Sequence, residues 1–201
     1  MTASPLGVFP PKPSALADMF TGTPSLIGAI HLPALPGSPH YTGQPVSEIA
    51  RFAVEEAHAY VDNGFDGVIV ENHWDIPFLK PGEHGYETAA SMGVITAAVV
   101  GEFGKAVGVS ILSNAGECGV AAAWAAGASF VRVNQWANAY IANEGFIEVR
   151  PPRRRASAIA SAPTRSGSSL TCTSNTVRMP LSRTALSRNR PKTPSSSTQM
   201  F

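Results

Sequence analysis

Side chains able to do acid–base or anion-binding chemistry recur at one kind of position in this 201-residue chain. His31, Glu71 with Asn72, Asn114, Arg132 and Asn134 each stand at, or just past, the end of a short apolar run. A carboxylate and an imidazole exchange protons with a substrate, arginine is a fixed cation with several N–H donors, and carboxamides both donate and accept. Gathered at one mouth, they suit acid–base work with His31 and Glu71 as the catalytic pair. Asn72, Asn114, Arg132 and Asn134 would then hold a phosphorylated or hydroxylated small molecule. Each residue also has a plainer reading, as a bond to a loop backbone or as an Arg132–Glu71 pair across a protein interior.

The elements between these residues decide whether they meet. Leu26-Ile27-Gly28-Ala29-Ile30-His31 reads as a first strand, with turn chemistry after it in Pro33, Pro36-Gly37 and Pro39. Ser47 is the expected cap of a helix that uses Ile49, Phe52, Ala53, Ala57, Tyr60 and Val61 as its apolar face and stops at Gly64. Residues 67–72 repeat the design of the first strand, β-rich without alternation, as expected when both faces of a parallel sheet are covered. A loop with His73, Trp74, Asp75 and Pro77 leads to a helix predicted over 88–103 and a third strand over 107–112. Asn114 opens a helix to 126, and a fourth strand covers 130–134. Residues 63–70 align with 126–133 as helix stop, tight turn and buried strand. This alternation predicts an α/β fold with right-handed parallel crossovers, either a doubly wound sheet or a TIM-type (β/α)8 barrel. No Gly-x-Gly-x-x-Gly follows the first strand, which weakens the dinucleotide-binding version. In both architectures chemistry belongs at the C-terminal strand ends.

Composition narrows the function classes. The chain is 44% hydrophobic and 14% charged with net charge +1. Residues 1–150 hold all 14 acidic residues against 6 of the 15 basic ones, a balance of −8, whereas 151–201 hold 9 basic and no acidic residues. An acidic ordered part argues against nucleic acid as its partner. No run of about 18 apolar residues predicts a membrane span. Pro5, Pro10, Pro11 and Pro13 interrupt the place where an export signal would lie, so the cytoplasm is expected. Cys118 reads as a buried neutral thiol, and Cys118 and Cys172 lack metal-ligand spacing. His40, His58 and His84 show no His-x-x-x-His spacing, so neither a metal nor another cofactor is expected. His73, Trp74 and Asp75 would form a lid or, the favoured reading, anchor their loop by packing. Trp124 and Trp136 read as packing residues.

Three ordered segments carry a resemblance. Ile27-Gly28-Ala29-Ile30-His31-Leu32-Pro33-Ala34-Leu35-Pro36-Gly37-Ser38-Pro39, then Asp66-Gly67-Val68-Ile69-Val70-Glu71-Asn72 with Asp75-x-Pro77-Phe78, then Phe130-Val131-Arg132-Val133-Asn134 together resemble the BtpA family, also called BtpA/SgcQ, over about residues 18–148. The resemblance implies a phosphate-binding-type (β/α)8 barrel and, in photosynthetic members, a part in photosystem I biogenesis or stability. Relatives outside phototrophs look like metabolic enzymes, so enzyme and assembly factor both stay open. Such a barrel needs about 250 residues. The chain therefore parses into a lead segment (1–20), a partial barrel of about four β/α units (21–149) and a tail unlike the family (150–201). As written it reads as a shortened, impaired form, expected to self-associate through open sheet edges.

Residues 151–201 contain 11 Ser, 7 Thr, 6 Pro and 9 Lys+Arg, 33 of 51, and read as disordered. A basic arm for nucleic acid or an anionic surface is the functional alternative, but Arg153-Arg154-Arg155 has no interleaved aromatics or helical stripe around it. A third reading follows from the genetic code. Taking each codon's last base with the first two of the next lets residues 171–180 spell Asp-Val-His-Val-Glu-His-Gly-Ala-Asp-Ala, which resembles the family's fifth strand. The same shift lets residues 195–201 spell Val-Val-Val-Asp-Ala-Asp-Val. Two strand-like runs from one shift favour a frameshift near residue 149. Sequencing the DNA across codons 145–205 is expected to reveal a barrel continuation open past codon 201 in the shifted frame; a stop codon in that frame would end the reading.

Overall fold

The computed structural model describes residues 19–20, 24–104, 106–135, 138–148, 172–173 and 176–178. Strands β1 (Ile27–His31), β2 (Gly67–Glu71), β3 (Ala106–Ser110) and β4 (Phe130–Arg132) lie side by side in chain order, all parallel. Helices α1 (Val46–Asp62), α2 (Tyr86–Glu102) and α3 (Gly116–Ala126) fill the crossovers. Right-handed crossovers between strands that never reverse their order keep all three helices on one face. There α1 packs on α2 and α2 on α3. A doubly wound sheet would reverse its order and divide its helices between two faces, so the winding is of the barrel type.

The absence of alternation in the strand sequences is explained by two apolar layers. On the helix side Ile30, Val68, Val70, Val107, Val109 and Val131 pack with Ile49, Ala53, Met92, Ile95 and Val99. On the other side Ile69, Ala106 and Phe130 pack with Phe20, Ile27 and Ala29. Every residue of β2 and β3 is consequently buried. Gly108 is required here, because a Cβ on it would run into the Phe130 ring lying across β3.

The 63–70 and 126–133 repeat is structural. Gly64 (φ 88°) and Gly127 (φ 72°) adopt the left-handed conformation that ends a helix cheaply. Phe65 N then donates to Tyr60 O (3.2 Å), as Ala128 N does to Ala123 O (2.9 Å). Asp66 N reaches Leu26 O (2.8 Å) and Ser129 N reaches Val107 O (2.7 Å), starting each strand in register.

Several expectations are corrected. Ser47 does not cap α1: Pro45 is the N-cap, its carbonyl accepting from Glu48 N (2.9 Å) and Ile49 N (3.3 Å). Helix α2 begins at Tyr86 rather than 88, and α3 at Gly116, leaving Ser113 (φ 58°) and Asn114 (φ 63°) in a left-handed turn. Trp124, read as a packing residue, is 39% exposed on the last turn of α3. A hairpin of β5 (Tyr140–Ala142) and β6 (Gly145–Ile147) follows β4 and had no sequence reading. Within the segment read as structureless, β7 (Cys172–Thr173) and β8 (Thr176–Arg178) form a hairpin, and β8 runs antiparallel along the edge of β4. The remaining tail with its basic arm, Trp136 and the lead segment up to residue 18 lie outside the described residues. Among the described residues no helix is long and apolar enough to cross a membrane.

Asn72, 1% exposed, ties together the loops above the sheet. Its Oδ1 accepts from Leu112 N (2.8 Å) in the loop after β3, and its Nδ2 donates to Asp75 Oδ2 (2.9 Å). Asp75 Oδ1 accepts from Leu35 N (2.7 Å) in the loop after β1. Asp75 thus anchors its loop; burial raises its pKa, with the Leu35 N–H and the Asn72 amide opposing. Asn72→Ala leaves the Leu112 N–H without its acceptor and Asp75 Oδ2 without the Asn72 donor, each worth about 1–3 kcal/mol. The expected outcome is a lower urea midpoint at unchanged slope; an unmoved midpoint would show that the loops are held otherwise.

Candidate functional site

Alternation along a strand sends every second residue to the same face. On the face away from the helices the pairing register then stacks rows across the sheet. Ala29, Ile69, Gly108 and Phe130 form one row, and His31, Glu71, Ser110 and Arg132 form the next, at the C-terminal edge. The apolar row supports a polar one built from one residue of each parallel strand.

Glu71 is the centre of that row. Its Oε1 accepts from Arg132 Nη1 at 2.8 Å, and its Oε2 lies 3.6 Å from His31 Nε2. The Glu71 side chain is 10% exposed and those of Arg132 and His31 are 49% and 46% exposed, so a buried carboxylate lies between two accessible basic groups. The plainer sequence reading, an Arg132–Glu71 pair, is thus present within the same arrangement that suits acid–base work. Ser110 Oγ is buried with no hydrogen-bond partner among the described residues. His73, from the loop after β2, stacks on His31 with ring centroids 3.9 Å apart and planes 10° from parallel, and Trp74 meets the edge of His73 at 5.4 Å. The ligand atoms of His31, Glu71 and His73 all lie within 4.8 Å of one another. A cleft of about 320 Å³ opens beside His31, walled by Pro33, Ala34, His40, Phe52 and Trp74.

The structure therefore brings together His31, Glu71 and Arg132. Asn72 has both amide atoms engaged in the loop bracket. Asn114 Oδ1 accepts from Gln135 N (2.8 Å) and holds the turn after β3 against the chain leaving β4. Asn134 lies beside Tyr140 of the β5–β6 hairpin, whose hydroxyl burial pushes up while Asn134 opposes. The sequence reading does not include Ser110 and gives His73 a place only in a lid over the site or, as favoured, in packing its loop. Ser110 was legible as the last member of the Ala106, Gly108, Ser110 alternation; His73 depends on how a loop folds back over β1, for which no local signal exists. Cys118, read as buried, is partly buried, its pKa pushed up to about 11 by burial first and by the Glu87 charge second. Burial lowers the pKa of His84, with the Asp75 charge opposing.

The sequence model of the BtpA family matches residues 23–155. Similar curated proteins include an uncharacterized protein of Archaeoglobus fulgidus, 40% identical over 62% of this chain and 49% of the relative. An uncharacterized protein of Methanocaldococcus jannaschii is 38% identical over 66% of this chain and 49% of its own length. The photosystem I biogenesis protein BtpA of Synechocystis is 35% identical over 61% of this chain and 42% of its own length. The chain spans about half the length of the curated relatives it matches, and no solved structure matches it. The matched segment takes in all four parallel strands and every member of the polar row, and on that coverage the chain belongs to the BtpA family.

Proposed function

We propose that the C-terminal edge of the sheet is the binding mouth for a small anionic molecule, a phosphorylated metabolite in class, and that Glu71 with His31 exchanges protons with it. The observation that carries this reading is the single register line on which His31, Glu71 and Arg132 stand. Parallel α/β enzymes place their ligands at such strand ends. Arg132 has five N–H donors and gives one to Glu71, and its half-exposed guanidinium leaves the others for an anion. Ser110, whose hydroxyl is buried with no hydrogen-bond partner among the described residues, belongs to the same row. Asn72 and Asn114 serve the same site indirectly, by fixing the loops around it. Turnover is proposed for a chain carrying all eight units, since these residues come from four strands only.

Inorganic phosphate titrated into the protein and followed by amide chemical shifts is expected to saturate at the strand ends. Arg132→Gln should weaken that binding about 10- to 150-fold, the equivalent of a charged hydrogen bond worth about 1.5–3 kcal/mol. Equal binding by the variant would remove Arg132 from the ligand.

The name of the Synechocystis relative supports a second reading: in a photosynthetic host, a family member serves photosystem I assembly through its outer surface. Glu71→Gln should then leave photosystem I levels unchanged, and loss of those levels would move the role to the mouth.

A further inference from the structure

We propose that His31, Glu71 and His73 form a three-ligand site for a divalent first-row transition metal, with its remaining coordination position turned to the cleft that His31 lines. Zinc–nitrogen and zinc–oxygen bonds of about 2.0–2.2 Å in a tetrahedral site space neighbouring ligand atoms by about 3.4 Å. The His31 Nε2 to Glu71 Oε2 separation is 3.6 Å, and the third ligand atom lies within 4.8 Å of both. Binding requires the ring of His73, which sits on a loop, to rotate out of its stack on His31 and close the remaining distance. Two imidazoles and one carboxylate match zinc and its first-row neighbours and fit magnesium or calcium poorly, since those take oxygen ligands. Three protein ligands with an open position form the pattern of a catalytic rather than a structural site.

The surroundings support this assignment. Arg132 holds Glu71 Oε1 and so presents Oε2 to the histidine side, the orienting role that outer partners play around bound metals. The stack keeps both imidazoles beside the Glu71 carboxylate, and because an imidazole binds an ion in its own ring plane, His73 must turn out of the stack for the two to share one. His31 ends β1 and His73 lies in the loop after β2, so a search for closely spaced histidines in the sequence passes over the pair.

The test needs no small-molecule ligand. Purified protein stripped with a chelator and titrated with Zn2+ is expected to bind one equivalent at this site. His31→Gln and His73→Gln should each weaken it by at least the about 10- to 100-fold that loss of an outer partner costs. His40→Gln, on the neighbouring wall of the cleft, should leave it unchanged. No binding by the parent chain, or undiminished affinity in His73→Gln, would overturn the proposal. His73 lies outside the strands, so that variant remains informative if His31→Gln fails to fold. Phosphate binding by the metal-free protein is read separately, so failure of either reading is visible alone.

Discussion

The in-register pairing of four parallel strands is the constraint on which the rest of this structure depends. Because side chains alternate with a period of two, a slip of one residue in any pairing would send a whole strand's polar terminus into the helix layer and its valines to the mouth. The pairing His31 to Glu71, Glu71 to Ser110 and Ser110 to Arg132 therefore specifies the site and the core together. Two devices enforce it. The left-handed glycines at Gly64 and Gly127 stop the helices and deliver Asp66 and Ser129 to the carbonyls of Leu26 and Val107 at the strand starts. At the other end the Asn72–Asp75 bracket fixes the loops after β1, β2 and β3 to one another.

That division of labour separates residues of similar chemistry. Asn72 and Glu71 are neighbours in sequence and both are buried, yet they face opposite sides of the sheet. Asn72 can satisfy a backbone donor and a carboxylate at once because a carboxamide both donates and accepts. A carboxylate in its place would present two acceptors to Asp75. Glu71, conversely, is suited to its place because Arg132 neutralises it: a buried carboxylate without a cation is costly, and removing its partner destabilises more than the pair itself stabilises. Adjacent polar residues at the end of one strand are thus held in different settings, Asn72 among loop groups and Glu71 beside Arg132 and His31.

Much of this was legible before any coordinates. Unalternated runs such as Gly67-Val68-Ile69-Val70 identify strands covered on both faces, and the polar residues ending them place the mouth, so His31, Glu71 and Arg132 follow from pattern alone. Helix starts were less legible: Ser47 is a good capping type, but Pro45 one residue before the helix supplies the carbonyl and sets the entry, so the side chain is not needed. Asn114 was read as a helix start and lies instead in a left-handed turn held by Gln135 N, a bond between residues from different units that no local rule anticipates. The stacking of His73 on His31 is hidden from the sequence for the same reason. Tertiary placement of loops, rather than propensity, decides both.

Charge at the mouth gives a reason for the anion and metal readings to belong to one site. Glu71 and Arg132 together are neutral, and a bound anion that draws Arg132 away leaves a carboxylate only 10% exposed without its cation. In a water-poor position that loss cancels much of what the new contact gains. A divalent ion between His31, Glu71 and His73 would change the balance, because Glu71 would then have a second cation on its Oε2 side while Arg132 stays on Oε1 and offers its remaining N–H donors to the ligand. The excess positive charge left over favours an anion in the open position. On this argument anion affinity should be weak in the metal-free protein and rise when the metal is present, so the two sites are thermodynamically coupled, each ligand raising the affinity for the other by the same factor.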